Sequence, residues 1–121
     1  MTRLLLFSIT ILFAAQLWAD HAQNVVVLSN KNGSHLENYA PADMPDVYYD
    51  SDEDEIIIIA DGFSSYYDVY IIRNTPYQTV ISTQVSGYGD TIDISSLSDG
   101  SYTIVIISEF LNEFEGQFVI I

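Results

Sequence analysis

Cysteine is absent from this 121-residue chain. Disulfides, thiolate metal sites and cysteine nucleophiles are therefore excluded, and so is a lipid anchor on a cleavage-site cysteine. A small domain without disulfides must be held by its core. If such a chain is exported, the missing disulfides point toward a bacterial envelope or extracellular protein, since exported eukaryotic domains of this size more often carry them. Positive charge is nearly absent too: Lys and Arg total 3 against 17 Asp and Glu, for a formal net charge of −14. Such a chain repels nucleic-acid phosphates and anionic lipid surfaces, so neither is expected as a partner. The plain meaning of the charge is solubility. Histidine is limited to His21 and His35, and no serine sits in a G-x-S-x-G turn, so a Ser-His-Asp arrangement has no visible scaffold.

The first apolar run, Leu4 to Ala15, follows Met1-Thr2-Arg3 and is followed by Gln16-Leu17-Trp18-Ala19 and then Asp20. A basic start, a short apolar stretch and a small residue before a polar segment predict a secretory signal peptide over 1–19. A membrane span needs about 20 apolar residues, and this run is shorter. The mature chain is then expected in the periplasm, cell envelope or medium, with no stable membrane insertion. It keeps every acidic residue and has Lys31 and Arg73 as strong cations. Residues 20–45 read as a polar N-terminal segment with a first strand, and residues 46–121 as the main body.

What the chain has is β-strand pattern. Val25-Val26-Val27-Leu28 suits an opening strand, and Asn30-Lys31-Asn32-Gly33-Ser34 supplies turn chemistry after it. Asp46 to Asp50, Glu55 to Ala60, Tyr67 to Arg73, Tyr77 to Val85, Thr91 to Ile94, Ser101 to Ser108 and Phe114 to Ile121 follow, separated by turn residues. Tyr67, Val69 and Ile71 share one face of their strand, as do Phe114, Phe118 and Ile120. No amphipathic helix is evident. About eight short strands with turns at roughly 8–12-residue spacing predict an all-β sandwich.

Leu97-Ser98-Asp99-Gly100-Ser101-Tyr102 narrows the fold. In Greek-key sandwiches a tyrosine near the start of strand F bonds back to the main chain at the E–F corner. Gly100 permits the turn and Leu97 plugs the sandwich end. Counting backward gives strands G (114–121), F (101–108), E (91–94), C′ (77–85), C (67–73) and B (55–60), with 25–28 and 46–50 as A and A′. The expected fold is an immunoglobulin or fibronectin type III-like sandwich of about 7–8 strands, without the antibody disulfide or core tryptophan.

The stretch from Glu55 to Ile121 also resembles a family of short exported proteins of unknown function from Bacteroides-type bacteria. The residues that carry the likeness are Ile56-Ile57-Ile58-Ile59, Asp68-Val69-Tyr70-Ile71-Ile72, Thr91-Ile92-Asp93-Ile94-Ser95-Ser96-Leu97, Gly100-Ser101-Tyr102-Thr103-Ile104 and Gly116-Gln117-Phe118. The I-D-I-S-x-L-x-x-G-x-Y run is similar to C-terminal sorting domains of a Bacteroidetes secretion system. The resemblance implies an immunoglobulin-like sandwich and an exported compartment, and no activity.

Asp50, Asp52 and Asp54 have the spacing of the first three ligands of a calcium loop. Glu55 stands where that loop needs glycine and isoleucines fill its middle, so an EF-hand is rejected. The alternatives left are a weak cation site or a charged hairpin tip that discourages edge pairing. Tyr66 in the B–C connection and Tyr88 between two glycines are the candidate binding residues, because loop aromatics at a sandwich end commonly serve recognition. No catalytic residue and no cofactor are predicted. The expected function is a non-catalytic exported binding or interaction module, monomeric or weakly self-associating, for a glycan or another envelope protein. A sorting or assembly module and a small hydrolase are the alternatives.

Overall fold

The computed structural model describes residues 23–30 and 41–121. The predicted leader at 1–19, His21, His35 and the turn at Lys31-Asn32-Gly33-Ser34 lie outside the described residues. Nine strands occur among the described residues: β1 (Gln23–Val26), β2 (Ser29–Asn30), β3 (Asp46–Asp50), β4 (Glu55–Ile59), β5 (Tyr66–Asn74), β6 (Tyr77–Ser86), β7 (Gly89–Asp93), β8 (Gly100–Ser108) and β9 (Glu113–Ile120). They form two antiparallel sheets, β1-β3-β4-β7 and β2-β9-β8-β5-β6. The pairing of β4 with β7, and the order β9-β8-β5-β6, are those of strands B and E against G, F, C and C′. The molecule is the immunoglobulin-like sandwich that strand counting and the L-x-x-G-x-Y run predict.

Alternation drives the burial. In β5 the side chains of Tyr67, Val69 and Ile71 are fully buried, and in β8 so are Tyr102, Ile104 and Ile106. In β9 Phe114, Phe118 and Ile120 point the same way. From the facing sheet Val47, Tyr49, Ile56, Ile58 and Ile92 complete the core. Each large apolar side chain taken fully out of water contributes about 1.5–3 kcal/mol. In β4 the residues of the other parity, Ile57 and Ile59, are half-buried and exposed, so its outer face is apolar and only partly covered.

The N-terminal assignment needs correction. The stretch at 46–50 is not an accessory A′ strand: β3 pairs with β4 along its whole length, as strand A should. The apolar run at 25–28 is not one strand. Its first half belongs to β1, which pairs with β3, and beyond Leu28 the chain pairs with β9 as β2. The run therefore crosses from one sheet to the other at the same side of the sandwich. Val26 and Leu28 enter the core while Val27 between them is exposed. Gly116 of β9 makes the crossing possible. A Cβ there would come within 2.8 Å of Val26 Cγ1 and 2.9 Å of Leu28 Cδ2.

Candidate functional site

The strand pairings place three connections at one end of the sandwich: β4–β5 (60–65), β6–β7 (87–88) and β8–β9 (109–112). Hydrogen bonds tie these loops to one another. Ala60 N–H donates to Tyr88 O at 3.2 Å, Gly62 N–H to Gly87 O at 3.0 Å and Gly87 N–H to Ser65 O at 3.0 Å. From the third loop, Glu109 Oε1 accepts from Ser65 N–H at 3.0 Å and from Ser65 Oγ at 3.1 Å. The buried Ser64 hydroxyl donates to Tyr66 O at 2.6 Å and accepts from Glu109 N–H at 3.1 Å.

Beneath the loops lies a buried polar cluster that the sequence did not reveal. Asp43 is 2% exposed. Its Oδ2 accepts from Ser108 Oγ at 2.6 Å and from Asn112 Nδ2 at 2.8 Å. Its main-chain carbonyl accepts from the fully buried Tyr67 hydroxyl at 2.8 Å. Burial, then the nearby charges of Asp43 and Asp61, push the Tyr67 phenol from 10.0 up to about 12. Hydrogen bonds to a buried carboxylate are among the stronger ones in a protein, so Asp43 anchors the chain before β3 to the base of the β8–β9 loop.

Above this base the loops present apolar tips. Phe63, Tyr66, Tyr88, Phe110 and Leu111 are all exposed, Tyr88 by 74% and Leu111 by 73%. The Phe63 and Phe110 rings pack with centroids 5.6 Å apart and a 59° tilt. Phe63 N–H is held by Asp61 Oδ1 at 3.1 Å, and Tyr88 N–H by Ser86 Oγ at 3.1 Å. The Tyr88 ring lies against Gly62, where a Cβ would meet ring carbons at 2.7 Å. Tyr66 is the first residue of β5 rather than a loop residue, and is 37% exposed. The two tyrosines expected from sequence thus lie at this end, as do Phe63, Phe110 and Leu111. Exposed Asp46, Asp61 and Asp90 surround the same end. Arg73, the one strong cation among the described residues, pairs across from Tyr102 at the opposite end.

That opposite end carries the corner. The Tyr102 hydroxyl donates to Ser98 O at 2.6 Å, and the ring stacks on Phe118 with centroids 5.6 Å apart. Gly100 has a φ of 148°, and Leu97 packs half-buried against the core. The acidic turn lies here as well. Asp50 is buried, and its Oδ1 accepts from Asp52 N–H at 3.0 Å and Glu53 N–H at 3.1 Å. It braces the β3–β4 turn from inside, while Asp52 and Asp54 are exposed. Among the described residues no group of three or more His, Asp or Glu side chains could hold a metal ion.

No family model matches the sequence, and no curated protein matches it. A solved structure does resemble it: a DUF3244 family protein with an immunoglobulin-like β-sandwich fold from Bacteroides vulgatus. The two superpose with a TM-score of 0.64 at 14% sequence identity, over 80% of this chain and 97% of the other. At that identity the likeness shows the fold.

Proposed function

We propose that this chain is an exported, non-catalytic interaction module that binds a protein partner through the end of the sandwich carrying Phe63, Tyr66, Tyr88, Phe110 and Leu111. The observation that carries the reading is how the loops use their polar groups. Ser64, Ser65, Ser86, Asp61 and Glu109 bond to the loops' own backbone and to one another. A sugar site needs polar groups turned toward the ligand hydroxyls; here the loop tips present aromatic and aliphatic side chains, with Asp46, Asp61 and Asp90 around them. Exposed, rigidly held aromatics are the usual energetic centre of protein interfaces. The acidic rim fits a partner with an apolar centre and a basic surround. Loops at the end of an immunoglobulin-like sandwich are where such scaffolds place recognition.

The test presents the immobilised protein with an envelope extract of the source cells and, separately, with a panel of neutral glycans. The expected result is a protein partner retained by the wild type and lost by Phe63→Ser/Phe110→Ser at unchanged stability. Glycan binding that Tyr88→Ala abolishes would replace the protein reading with a sugar-binding one. A partner held equally by the double variant would end it.

A further inference from the structure

A sandwich has four sheet edges, and this one treats them unequally. At the edges of the two sheets on one side stand β1, four residues long, and β2, two residues long. On the other side stands β7, five residues long, with Asp90 and Asp93 in it. Short length and charge are two of the ways in which a sheet edge is kept from pairing with another chain. The fourth edge, β6, has neither. It runs ten residues, Tyr77–Ser86, with a bulge at Val80, and from Ile81 to Ser86 it is about 20 Å of regular extended chain. Its described partner strand is β5, so its outer backbone edge faces away from the sheet.

The chemistry of that edge sets it apart from the rest of the surface. Residues 74–89 contain no charged side chain, in a protein with 17 Asp and Glu. Most of β6 is exposed, and Val85 is the residue it buries. Gln78, Thr79, Ser82, Thr83 and Gln84 offer neutral polar side chains along this strand, at the edge of the described sheet. Thr83 has the inward parity of Val69, its partner on β5, yet is exposed. That is the position where a protected edge would carry an inward-pointing charge.

We infer that two copies of this chain pair antiparallel along β6, joining their five-stranded sheets into one continuous sheet. A second copy suits the edge for two reasons. Antiparallel pairing about a twofold axis is self-complementary, so one strand supplies both donors and acceptors. Two copies with a net charge of −14 each approach most easily where the surface lacks acid, and among the described residues β6 is the longest edge strand that lacks it. The association is then opposed by the long-range repulsion of the remaining surfaces and strengthens as salt screens it.

Sedimentation of the purified chain over a concentration series tests this, at low and at raised ionic strength. The expected result is a monomer–dimer equilibrium that shifts toward dimer with added salt. Amide exchange in β6 should slow as the protein concentration rises. Thr83→Glu, or Thr79→Glu as a second variant, should give monomer, with the unfolding midpoint of the wild type at concentrations where that too is monomeric. Ser96→Glu, the same charge on an exposed connection, should leave the dimer intact. A monomer at every concentration and salt overturns the inference. So does a dimer that survives both β6 substitutions, or one lost in Phe110→Ser, which would move the contact to the loop end.

Discussion

Phe63 and Phe110 come from different loops, and their rings pack 5.6 Å apart at the surface. Neither ring is buried: they are 55% and 54% exposed. What fixes them is the main chain beneath, where Ser64, Ser65 and Glu109 bind the two loops together. The backbone under both rings is thus tied down, and in the proposed interface that lowers the ordering cost of binding.

Phe110→Ser separates binding from folding. The ring is exposed, so denaturant unfolding should move by no more than about 0.5 kcal/mol. Affinity for the protein partner should fall by about 2 kcal/mol, roughly 30-fold, as for an aromatic at the centre of an interface. Calorimetric titration of wild type and variant reads the difference.

Tyr102→Phe removes one hydroxyl and keeps the ring on Phe118. The lost bond to Ser98 O should destabilise the fold by about 1 kcal/mol in a denaturant melt. Tyr102→Ala also opens a cavity between the sheets and should cost about 3–5 kcal/mol. An unchanged midpoint for the phenylalanine variant would mean that the corner bond carries no stability.

Asp43→Ala takes the acceptor from Ser108 Oγ and Asn112 Nδ2 in a buried setting. Groups left unsatisfied there should cost about 1–3 kcal/mol. Asp43→Asn keeps one carbonyl oxygen and should cost less. The base of the β8–β9 loop should loosen in the alanine variant, read as faster amide exchange at Leu111 and Asn112, whose N–H groups bond to Ser108.

The Tyr67 phenol gives the fold an alkaline limit. Its pKa rises from 10.0 to about 12 on folding, because burial and two nearby carboxylates disfavour the phenolate. Below pH 10 it is neutral in both states and its contribution is intact. Between pH 10 and 12 the unfolded chain loses the proton while the folded protein keeps it, so stability falls as pH rises. The loss approaches about 2–3 kcal/mol. Tyr67→Phe should flatten that part of the profile, and Tyr49, whose pKa burial also raises, leaves a residual slope of the same sign.

The strands with one buried face were legible in the sequence. Tyr67, Val69 and Ile71, or Phe114, Phe118 and Ile120, declare their side by alternation alone. The spacing of Leu97, Gly100 and Tyr102 located strands E and F, and Tyr66 and Tyr88 marked the loop end because they flank turn residues. The N-terminal crossing was not legible, since four apolar residues in a row carry no mark of which sheet edge is open. It depends on Gly116, far along the chain. Asp43 lies between Pro41 and Pro45 in no periodic pattern; its burial is decided by Ser108 and Asn112, 65 and 69 residues away. Phe110 and Leu111 gave no strand or turn signal of their own, and only the folded chain sets Phe110 beside Phe63.

The proposed contact surface is the end of the sandwich carrying Phe63 and Phe110. A photoreactive side chain placed at position 110, and in a second protein at position 96, tests it most directly. Cross-linking in the native envelope should join one protein partner at position 110 and none at position 96, and Phe63→Ser should diminish the cross-link. Equal cross-linking from both positions, or a position-110 adduct indifferent to Phe63→Ser, would contradict it.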